Sequence, residues 1–216
     1  MADSRQPIDP AAPAVAAIVL AAGSSRRFGP NNKLLAAFRG QPLIRWAVTA
    51  FTESRADPVI VVTGPDRTEI ETALAGLPVR TTHNPDHLEG MGGSIATGVA
   101  ALPSGIDGVL VSPGDMPGIT ARLIDDLITA FQREGGDRII RPALSGGRPG
   151  HPVLWPARLL PRLGRISGAE GGKTLLSEVS SDIVHVPLND EGAALDIDTV
   201  EELRRNAELL RDLHGR

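Results

Sequence analysis

Apolar runs rich in β-branched residues alternate along the chain with stretches of helical periodicity. Two runs, Val59–Val62 and Val109–Val111, are apolar at every position instead of at alternate positions. Continuous apolar strands are typical of a parallel sheet that is covered on both faces. The runs predicted as strands are Val15–Leu20, Val59–Thr63, Val79–Thr82, Gly108–Ser112, Arg138–Pro142, Pro152–Trp155 and Ile183–Pro187.

Between these runs, apolar residues recur at the three- and four-residue spacing of amphipathic helices. The last of these helices is predicted to begin with a capping box, Thr199–Glu202. A short helix broken by Pro161 is also predicted. The stripes expected to face the core are Leu43, Trp46, Ala47 and Ala50, then Leu123, Ile124, Leu127, Ile128 and Phe131, and finally Val200, Leu203, Ala207 and Leu210.

This alternation predicts an α/β fold with three Rossmann-like layers, in which helices cover both faces of a mostly parallel sheet. No repeat, linker or low-complexity tract divides the chain, so residues 14–216 are expected to form a single domain after a disordered lead over residues 1–13. In such sheets the ligand site lies beyond the carboxyl ends of the strands. The loops that follow Leu20, Thr63, Ser112 and Pro142 are therefore the places to search for chemistry.

The N-terminal lead does not have the charge of an export signal. It contains Asp3 and Asp9 against Arg5, whereas the start of a signal peptide is net positive. The small residues after Leu20 resemble a cleavage site, but the apolar run before them is better explained as a buried first strand. A cytoplasmic protein is therefore expected.

Composition excludes several classes of protein. The chain of 216 residues contains no cysteine, which excludes a disulfide scaffold, a zinc ribbon and a thiol nucleophile. A net charge of −4 without a basic stripe argues against nucleic-acid binding. No apolar run approaches the length of about 20 residues that a membrane-spanning helix requires.

The loop after the first predicted strand combines small residues with cations: Leu20-Ala-Ala-Gly23-Ser-Ser-Arg-Arg27-Phe-Gly29-Pro-Asn-Asn-Lys33. Bare backbone N–H groups near Gly23 can approach an anion closely, and Arg27 and Lys33 add charge suited to a polyphosphate. The spacing matches neither the dinucleotide-binding motif nor the P-loop. An ordinary glycine turn with two solvated cations is the alternative. Phosphate binding is favoured because Lys33 is one of only two lysines among 22 cationic residues.

A carboxylate follows another apolar strand, in Pro113-Gly-Asp115-Met-Pro117. Asp115 at the end of a central strand is a natural Mg²⁺ ligand for a nucleoside triphosphate, and its alternative role is a turn residue that bonds its own backbone. Asp196 and Asp198 lie two apart in an extended segment and face the same side. They are candidates for a second ligand or for a cap on the last helix.

Five segments, taken in chain order, resemble the MobA-like NTP transferases and are nearest the molybdenum cofactor cytidylyltransferase branch. The resemblance extends from Val15 to about Leu210 and implies a nucleotide-diphospho-sugar transferase-like fold. It favours Asp198 over Asp196 as the second Mg²⁺ ligand. The segments are the loop from Leu20 to Lys33, Asn84-Pro85 with Gly90-Met91, Ser94-Ile95 and Gly98, Pro113–Pro117, Gly150-His-Pro-Val153, and Asp196-Ile-Asp-Thr199.

The resemblance also implies roles for individual residues. The nucleotide would contact the signature loop, Arg27 would favour the leaving pyrophosphate, and Lys33 would approach the reacting phosphate. Ser94 and His151 would lie beside the acceptor, although a histidine between glycine and proline is otherwise often a surface turn residue. His83 and His87 are interpreted as surface residues. The residues expected to bind the nucleotide are Leu20, Ala21, Ala22, Gly23, Ser24, Ser25 and Gly29.

Two segments depart from the family pattern. Gly168-Ala169-Glu-Gly-Gly172-Lys173 lacks the aspartate that relatives usually have, with Ala169 in its place, and Gly92-Gly93 replaces a polar pair before Ser94. Both departures concern the acceptor side. The segment ending at Lys173 also resembles a P-loop, but no apolar strand precedes it, which argues against that role.

The sequence therefore predicts a Mg²⁺-dependent nucleotidyltransferase that joins CMP from CTP to a phosphate monoester, with a pterin acceptor implied by the resemblance. Ala21-Ala22 before Gly23 resembles the cytidylyl branch of the family, so the resemblance favours cytidylyl over guanylyl transfer. The alternatives are a guanylyltransferase, an NAD(P)H-dependent oxidoreductase of the nicotine blue type, and a non-catalytic module that loads cofactor onto a molybdenum hydroxylase. A molybdoenzyme client is a candidate partner.

Overall fold

A seven-stranded sheet forms the centre of the protein, for which a computed structural model describes residues 12–23, 32–187 and 202. Each predicted strand is confirmed, with ends that differ by at most one residue. The strands of this sheet are β1 (Val15–Ala21), β4 (Val59–Thr63), β5 (Val79–His83), β6 (Gly108–Pro113), β7 (Ile139–Ala143), β8 (Val153–Pro156) and β9 (Ile183–Pro187), and a separate two-stranded sheet pairs β2 (Ala37–Phe38) with β3 (Gln41–Pro42).

The spatial order of the large sheet is β5-β4-β1-β6-β8-β7-β9. β8 runs antiparallel to β6 and β7, and every other neighbouring pair is parallel. The ends of β1, β4, β6 and β7 therefore lie together along one side of the sheet, which we name the C-terminal edge. Because β8 runs in the opposite direction, its first residues lie at this same edge.

Helices cover both faces of the sheet. Their bounds are α1 (Leu43–Thr52), α2 (Arg67–Ala73), α3 (Met91–Ala100), α4 (Ala121–Arg133), α5 (Leu160–Leu163) and α6 (Lys173–Glu178). On one face, α1, α2 and α4 pack their apolar stripes against alternate residues of β1 and β4. On the other, α3, α5 and α6 pack against the intervening residues.

The two-sided burial explains the continuous apolar strands. In β4, Val59 and Val61 belong to one core cluster while Val62 belongs to the other. The predicted fold class, three Rossmann-like layers around a mostly parallel sheet, is confirmed. None of the helices in the described residues is long and apolar enough to cross a membrane.

The apolar stripe of α4 is confirmed in full, because its five predicted residues are buried. The stripe of α1 differs at Trp46, which is half-buried while Ile44, Val48 and Phe51 are buried. The indole N–H of Trp46 donates to the carbonyl of Phe38 at 2.8 Å, so the ring lies at the border of the core where an acceptor is available.

Pro161 begins a helix instead of breaking one. A 3₁₀ turn at Ala157–Leu159 leads directly into α5, and Pro161 lies in the first turn of that helix. The missing N–H of proline has no cost there, because the first N–H groups of a helix have no partner within the helix. The capping box and stripe predicted over Thr199–Leu210 fall outside the described residues except for Glu202, which is helical.

Candidate active site

Lys33 and Asp115 form an ion pair at the C-terminal edge, where their loops follow neighbouring strands β1 and β6. The Lys33 Nζ lies 2.5 Å from the Asp115 Oδ2, and the two side chains are only 14% and 16% exposed. Two candidate residues from distant parts of the sequence are thus brought into contact. The charge-assisted contact is strong because the site is partly withdrawn from water.

The backbone at Lys33 is held by a local cap and by the loop after β4. The Asn32 side chain accepts a hydrogen bond from the Leu34 N–H at 2.9 Å, which caps the 3₁₀ turn Lys33–Leu35. Its amide nitrogen donates to the Asp66 Oδ2 at 2.7 Å. Sequence reasoning missed Asn32 and Asp66. The cap was visible in the sequence as an asparagine before a short turn, but its partner after β4 was not.

Asp115 is suited to a divalent cation. Its Oδ1 is buried and has no hydrogen-bond partner among the described residues, while Oδ2 contacts Lys33. A buried carboxylate oxygen without a donor is costly unless a cation or a ligand satisfies it. The described residues contain no cluster of three or more potential metal-ligating side chains. One carboxylate completed by substrate phosphates and water is nevertheless a usual arrangement for Mg²⁺.

Two glycines allow the loops of the site to approach one another. The Gly114 N–H donates to the Leu20 carbonyl at 2.9 Å, and a Cβ at Gly114 would lie 2.5 Å from the Ile44 Cδ1. A Cβ at Gly64, just after β4, would lie 2.6 Å from the Ala22 carbonyl oxygen. Ala21 and Ala22 are themselves buried, and Gly23 is exposed at the mouth of the loop.

Replacing Gly64 by alanine is expected to destabilise the protein by about 1–3 kcal/mol, because the new methyl group would overlap backbone that cannot move independently. Chemical denaturation measures this effect. Gly164→Ala is the matched control, since its added Cβ would have ordinary contacts of 3.4 Å and 3.5 Å. Equal stability of the two variants would contradict the expected overlap.

His151 lies at the C-terminal edge immediately before Pro152 and β8, and is half-buried. Its Nδ1 is buried and has no hydrogen-bond partner among the residues that the structure describes. The pKa of His151 is lowered from 6.5 to about 4, mainly because the ring is buried and further because of the positive charge of Arg141, while the Asp115 carboxylate partly offsets these two effects. The imidazole is therefore neutral at physiological pH and able to accept or donate a hydrogen bond.

The low pKa of His151 predicts a pH dependence of stability. Between pH 6.5 and about 4 the unfolded chain binds a proton that the folded protein does not, so the free energy of unfolding decreases as pH falls through this window. The contribution reaches at most about 3 kcal/mol. We expect His151→Gln to flatten this part of the stability curve in urea titrations with EDTA present. His83→Gln, at an exposed position, serves as control, and parallel curves for His151→Gln and the wild type would contradict the assignment.

Ser94 is buried in α3, at 5% exposure, and its Oγ accepts a hydrogen bond from the Asn84 Nδ2 at 3.0 Å. This bond ties the loop after β5 to α3. His83 is exposed, as expected from the sequence. His87 is not a simple surface residue: it is half-buried, and its Nδ1 is buried without a partner among the described residues.

The two segments that depart from the family pattern pack against each other. The Gly92 N–H donates to the Gly168 carbonyl at 2.9 Å, and a Cβ at Gly90 would lie 2.4 Å from the Gly168 carbonyl carbon. A Cβ at Gly92 would similarly overlap the backbone of Ser167. The glycines thus permit backbone-to-backbone contact between α3 and the segment that precedes α6. Lys173 is exposed and begins α6, with α5 and turns before it instead of a strand, so the P-loop context is absent.

Arg141 was not predicted as a site residue, although an arginine in the apolar strand β7 was a visible signal. It is half-buried, and its Nε donates to the Gly150 carbonyl at 3.3 Å, next to His151. Several predicted site residues lie outside the described residues: Ser24, Ser25, Arg27, Gly29, Asp196 and Asp198. Their roles remain predictions.

Three curated relatives are similar to the chain over most of its length. Nicotine blue oxidoreductase of Paenarthrobacter nicotinovorans is 31% identical over 89% of this chain and 96% of its own. The 2-C-methyl-D-erythritol 4-phosphate cytidylyltransferase of Streptomyces avermitilis is 38% identical over 67% of this chain and 59% of its own. A probable molybdenum cofactor guanylyltransferase of Mycobacterium ulcerans is 29% identical over 88% and 91%.

Solved structures confirm the fold. The crystal structure of a Mycobacterium tuberculosis Rv0371c homolog, from Mycobacterium sp. strain JC1, superposes with a TM-score of 0.78 at 24% identity over 93% of this chain and 98% of that one. The family model described as the MobA-like NTP transferase domain matches residues 17–184, which include most of β1 and also Lys33, Asp115 and His151. With this match over most of its length, the chain belongs to the MobA-like NTP transferase domain family.

Proposed function

We propose that the protein transfers CMP from CTP to the phosphate monoester of a pterin-type acceptor, as a molybdenum cofactor cytidylyltransferase. The observation that supports this most directly is the Lys33–Asp115 pair. The Asp115 Oδ1, at the end of β6 beside the loop after β1, is buried and has no hydrogen-bond partner among the described residues. This is where a nucleoside triphosphate and its metal ion are expected in a doubly wound sheet.

In the proposed reaction an oxygen of the acceptor phosphate attacks the α-phosphorus of CTP. The bond from that phosphorus to the bridging oxygen breaks, and the electron pair leaves with pyrophosphate. No covalent enzyme intermediate is needed, because positioning and charge stabilisation suffice for this displacement. Mg²⁺ held by Asp115, with Asp198 as a second ligand, would offset the negative charge that develops on the phosphates.

The chain's own residues would position the two substrates. Backbone N–H groups at Ala22 and Gly23 would hold the triphosphate, and Arg27 would favour the leaving pyrophosphate. Lys33, in the turn that Asn32 caps, would reach the reacting phosphate, and nucleotide binding would redirect its ammonium from Asp115 to phosphate oxygens. The neutral imidazole of His151 would donate a hydrogen bond to the acceptor without adding charge.

The choice of nucleotide rests on the backbone before Gly23. Ala21 and Ala22 are buried at 2% and 3% exposure, so their methyl groups help to set the course of the loop near the base. The Streptomyces avermitilis relative is a cytidylyltransferase, whereas the Mycobacterium ulcerans relative is described as a guanylyltransferase. GTP is therefore the principal competitor of CTP.

A second candidate function is NAD(P)H-dependent reduction of a heteroaromatic compound. It is favoured by the similarity to nicotine blue oxidoreductase, which spans 96% of that protein. Glycines at the start of α3 permit close backbone contact with the segment around Gly168. Both segments depart from the family pattern on the side where the resemblance places the acceptor, which agrees with a different acceptor. This function requires consumption of NADPH and has no need of pyrophosphate release.

One experiment distinguishes these functions. The protein is incubated with CTP, GTP, ATP or UTP in turn, together with Mg²⁺, a phosphorylated pterin, NADPH and an oxidised heteroaromatic compound that can accept the hydride, while pyrophosphate release and NADPH absorbance are followed together. Pyrophosphate release that is fastest with CTP supports the proposal, and fastest release with GTP identifies a guanylyltransferase. NADPH loss without pyrophosphate identifies the oxidoreductase. Pterin binding with neither signal identifies a non-catalytic loading module.

A further inference from the structure

Arg141 differs from Arg45 and Arg138, the other arginines that are half-buried among the described residues. Arg45 donates from Nη1 to the carbonyls of Ala73 and Ala75, and Arg138 donates from Nη2 to the carbonyl of Ser181. Arg141 has one recorded hydrogen bond, from its Nε to the Gly150 carbonyl, which leaves its two terminal nitrogens without a recorded acceptor in the described part of the chain.

This guanidinium is also withdrawn from water. Arg141 is half-buried between Ile140 and Pro142, which are both buried, and burial lowers the pKa of Arg141. A partly desolvated cation is unfavourable unless an anion compensates it. Asp115, the nearby carboxylate, is already in contact with Lys33. An anionic ligand would therefore complete the surroundings of Arg141.

The hairpin between β7 and β8 places this cation next to His151. The Gly150 N–H donates to the Pro142 carbonyl at 2.8 Å, and the Leu144 N–H donates to the Arg148 carbonyl at 2.7 Å. The chain thus returns to the end of β7 just before His151. Arg141 offers a planar charged fork, and His151 beside it offers a neutral polar ring, a combination that suits a phosphate group.

Strand order separates Arg141 from the loop that follows β1. β6 and β8 lie between β1 and β7, so the two strands are three spacings, or about 14 Å, apart. A triphosphate bound at Gly23 and Lys33 has its own cations there. An anion bound by Arg141 would therefore be a phosphate of the second substrate.

We infer that Arg141 is a binding residue for the dianionic phosphate of the acceptor, on the strength of its place beside the Gly150–His151 turn and of its two terminal nitrogens, which have no recorded acceptor among the described residues. This inference rests on the proposed transferase function and names the residue that would recognise the acceptor. The guanidinium binds phosphate oxygens through its terminal nitrogens while its Nε remains bonded to Gly150. Arg141 would thereby orient the attacking oxygen towards the nucleotide.

The test measures phosphate binding without requiring turnover. Inorganic phosphate is titrated into the full chain, with and without the non-hydrolysable cytidine α,β-methylene triphosphate and Mg²⁺, while the histidine ring signals are followed by NMR. We expect Arg141→Met to weaken phosphate binding by at least about tenfold and Arg141→Lys to weaken it less. The affinity for the nucleotide analogue should change less than about twofold.

Arg122→Met, at an exposed position of α4, is the matched control and should bind phosphate as the wild type does. Thermal unfolding verifies that each variant is folded, and Arg141→Lys keeps the test decisive if the methionine variant is unstable. Wild-type phosphate affinity in the folded variants would overturn the inference. Weaker binding of the analogue with unchanged phosphate binding would overturn it as well, because Arg141 would then serve the nucleotide. Failure of the transferase proposal has a different signature, namely no pyrophosphate release by the wild type.

Discussion

Replacing Asp115 by asparagine will lower the rate of pyrophosphate release by at least about 10³-fold. The substitution keeps the shape of the side chain but removes the negative charge that would hold the proposed Mg²⁺, and metal stabilisation of phosphoryl charge is worth several kcal/mol, with about 1.4 kcal/mol for each factor of ten. Asp115 Oδ1 is buried and has no hydrogen-bond partner among the described residues. Loss of the carboxylate charge should therefore affect binding of the proposed metal ion more than packing of the core. The measurement is the rate of pyrophosphate release at saturating CTP as Mg²⁺ is varied.

The matched control for this substitution is Asp126→Asn, since Asp126 is exposed on α4 and remote from the C-terminal edge. It should retain the wild-type rate and the wild-type Mg²⁺ dependence. EDTA should abolish turnover by the wild type, and added Mg²⁺ should restore it. If Asp115→Asn remains fully active, both the metal site and the transferase mechanism proposed from it are wrong.

Replacing Lys33 by alanine will reduce kcat by about 10²- to 10³-fold. The ammonium is held in a partly buried position by the cap at Asn32, and a preorganised cation of this kind stabilises charge that develops in the transition state. The variant should remain folded, because the apolar Leu34 next to it continues to anchor the turn in the core. Single-turnover release of pyrophosphate separates the chemical step from nucleotide binding.

The second lysine of the chain provides the control. Lys173 is exposed at the start of α6, and Lys173→Ala should leave kcat unchanged. A large loss in Lys173→Ala with little effect in Lys33→Ala would favour the P-loop-like segment over the loop after β1. Combining Lys33→Ala with Asp115→Asn should cost much less than the product of the single effects, because residues that act as a unit are not additive.

Much of the fold could be predicted because its determinants are local. A strand that is buried on both faces has to be largely apolar, as Val59–Val62 of β4 and Val109–Val111 of β6 are, and an amphipathic helix such as α4 has to repeat its apolar residues along one face. Trp46 shows the limit of this reasoning. Periodicity placed it in the core, but its indole N–H requires an acceptor, and the carbonyl of Phe38 lies at the border of the core.

The candidate site was predictable in its residue types but not in its contacts. A loop rich in glycine and cations after one strand, and an aspartate after another, indicate phosphate and metal chemistry from residue types and spacing alone. Whether Lys33 touches Asp115 depends on β1 and β6 being neighbours, which no local pattern specifies. The partnership of Asn32 with Asp66 likewise depends on the position of β4 beside β1.

The sequence by itself determined the α/β class and the strand bounds to within one residue, and it singled out the loop and the lysine that are predicted to bind phosphate, since each follows from short-range spacing and side-chain chemistry. Only the tertiary structure decided that β8 runs antiparallel, which brings His151 to the C-terminal edge although it precedes a strand. It also placed Arg141 beside that histidine and joined Gly92 to Gly168 through a backbone hydrogen bond. Strand order and direction arise from the packing of the whole sheet and its helices, so the contacts between distant loops that define the acceptor side could not be read from any segment alone.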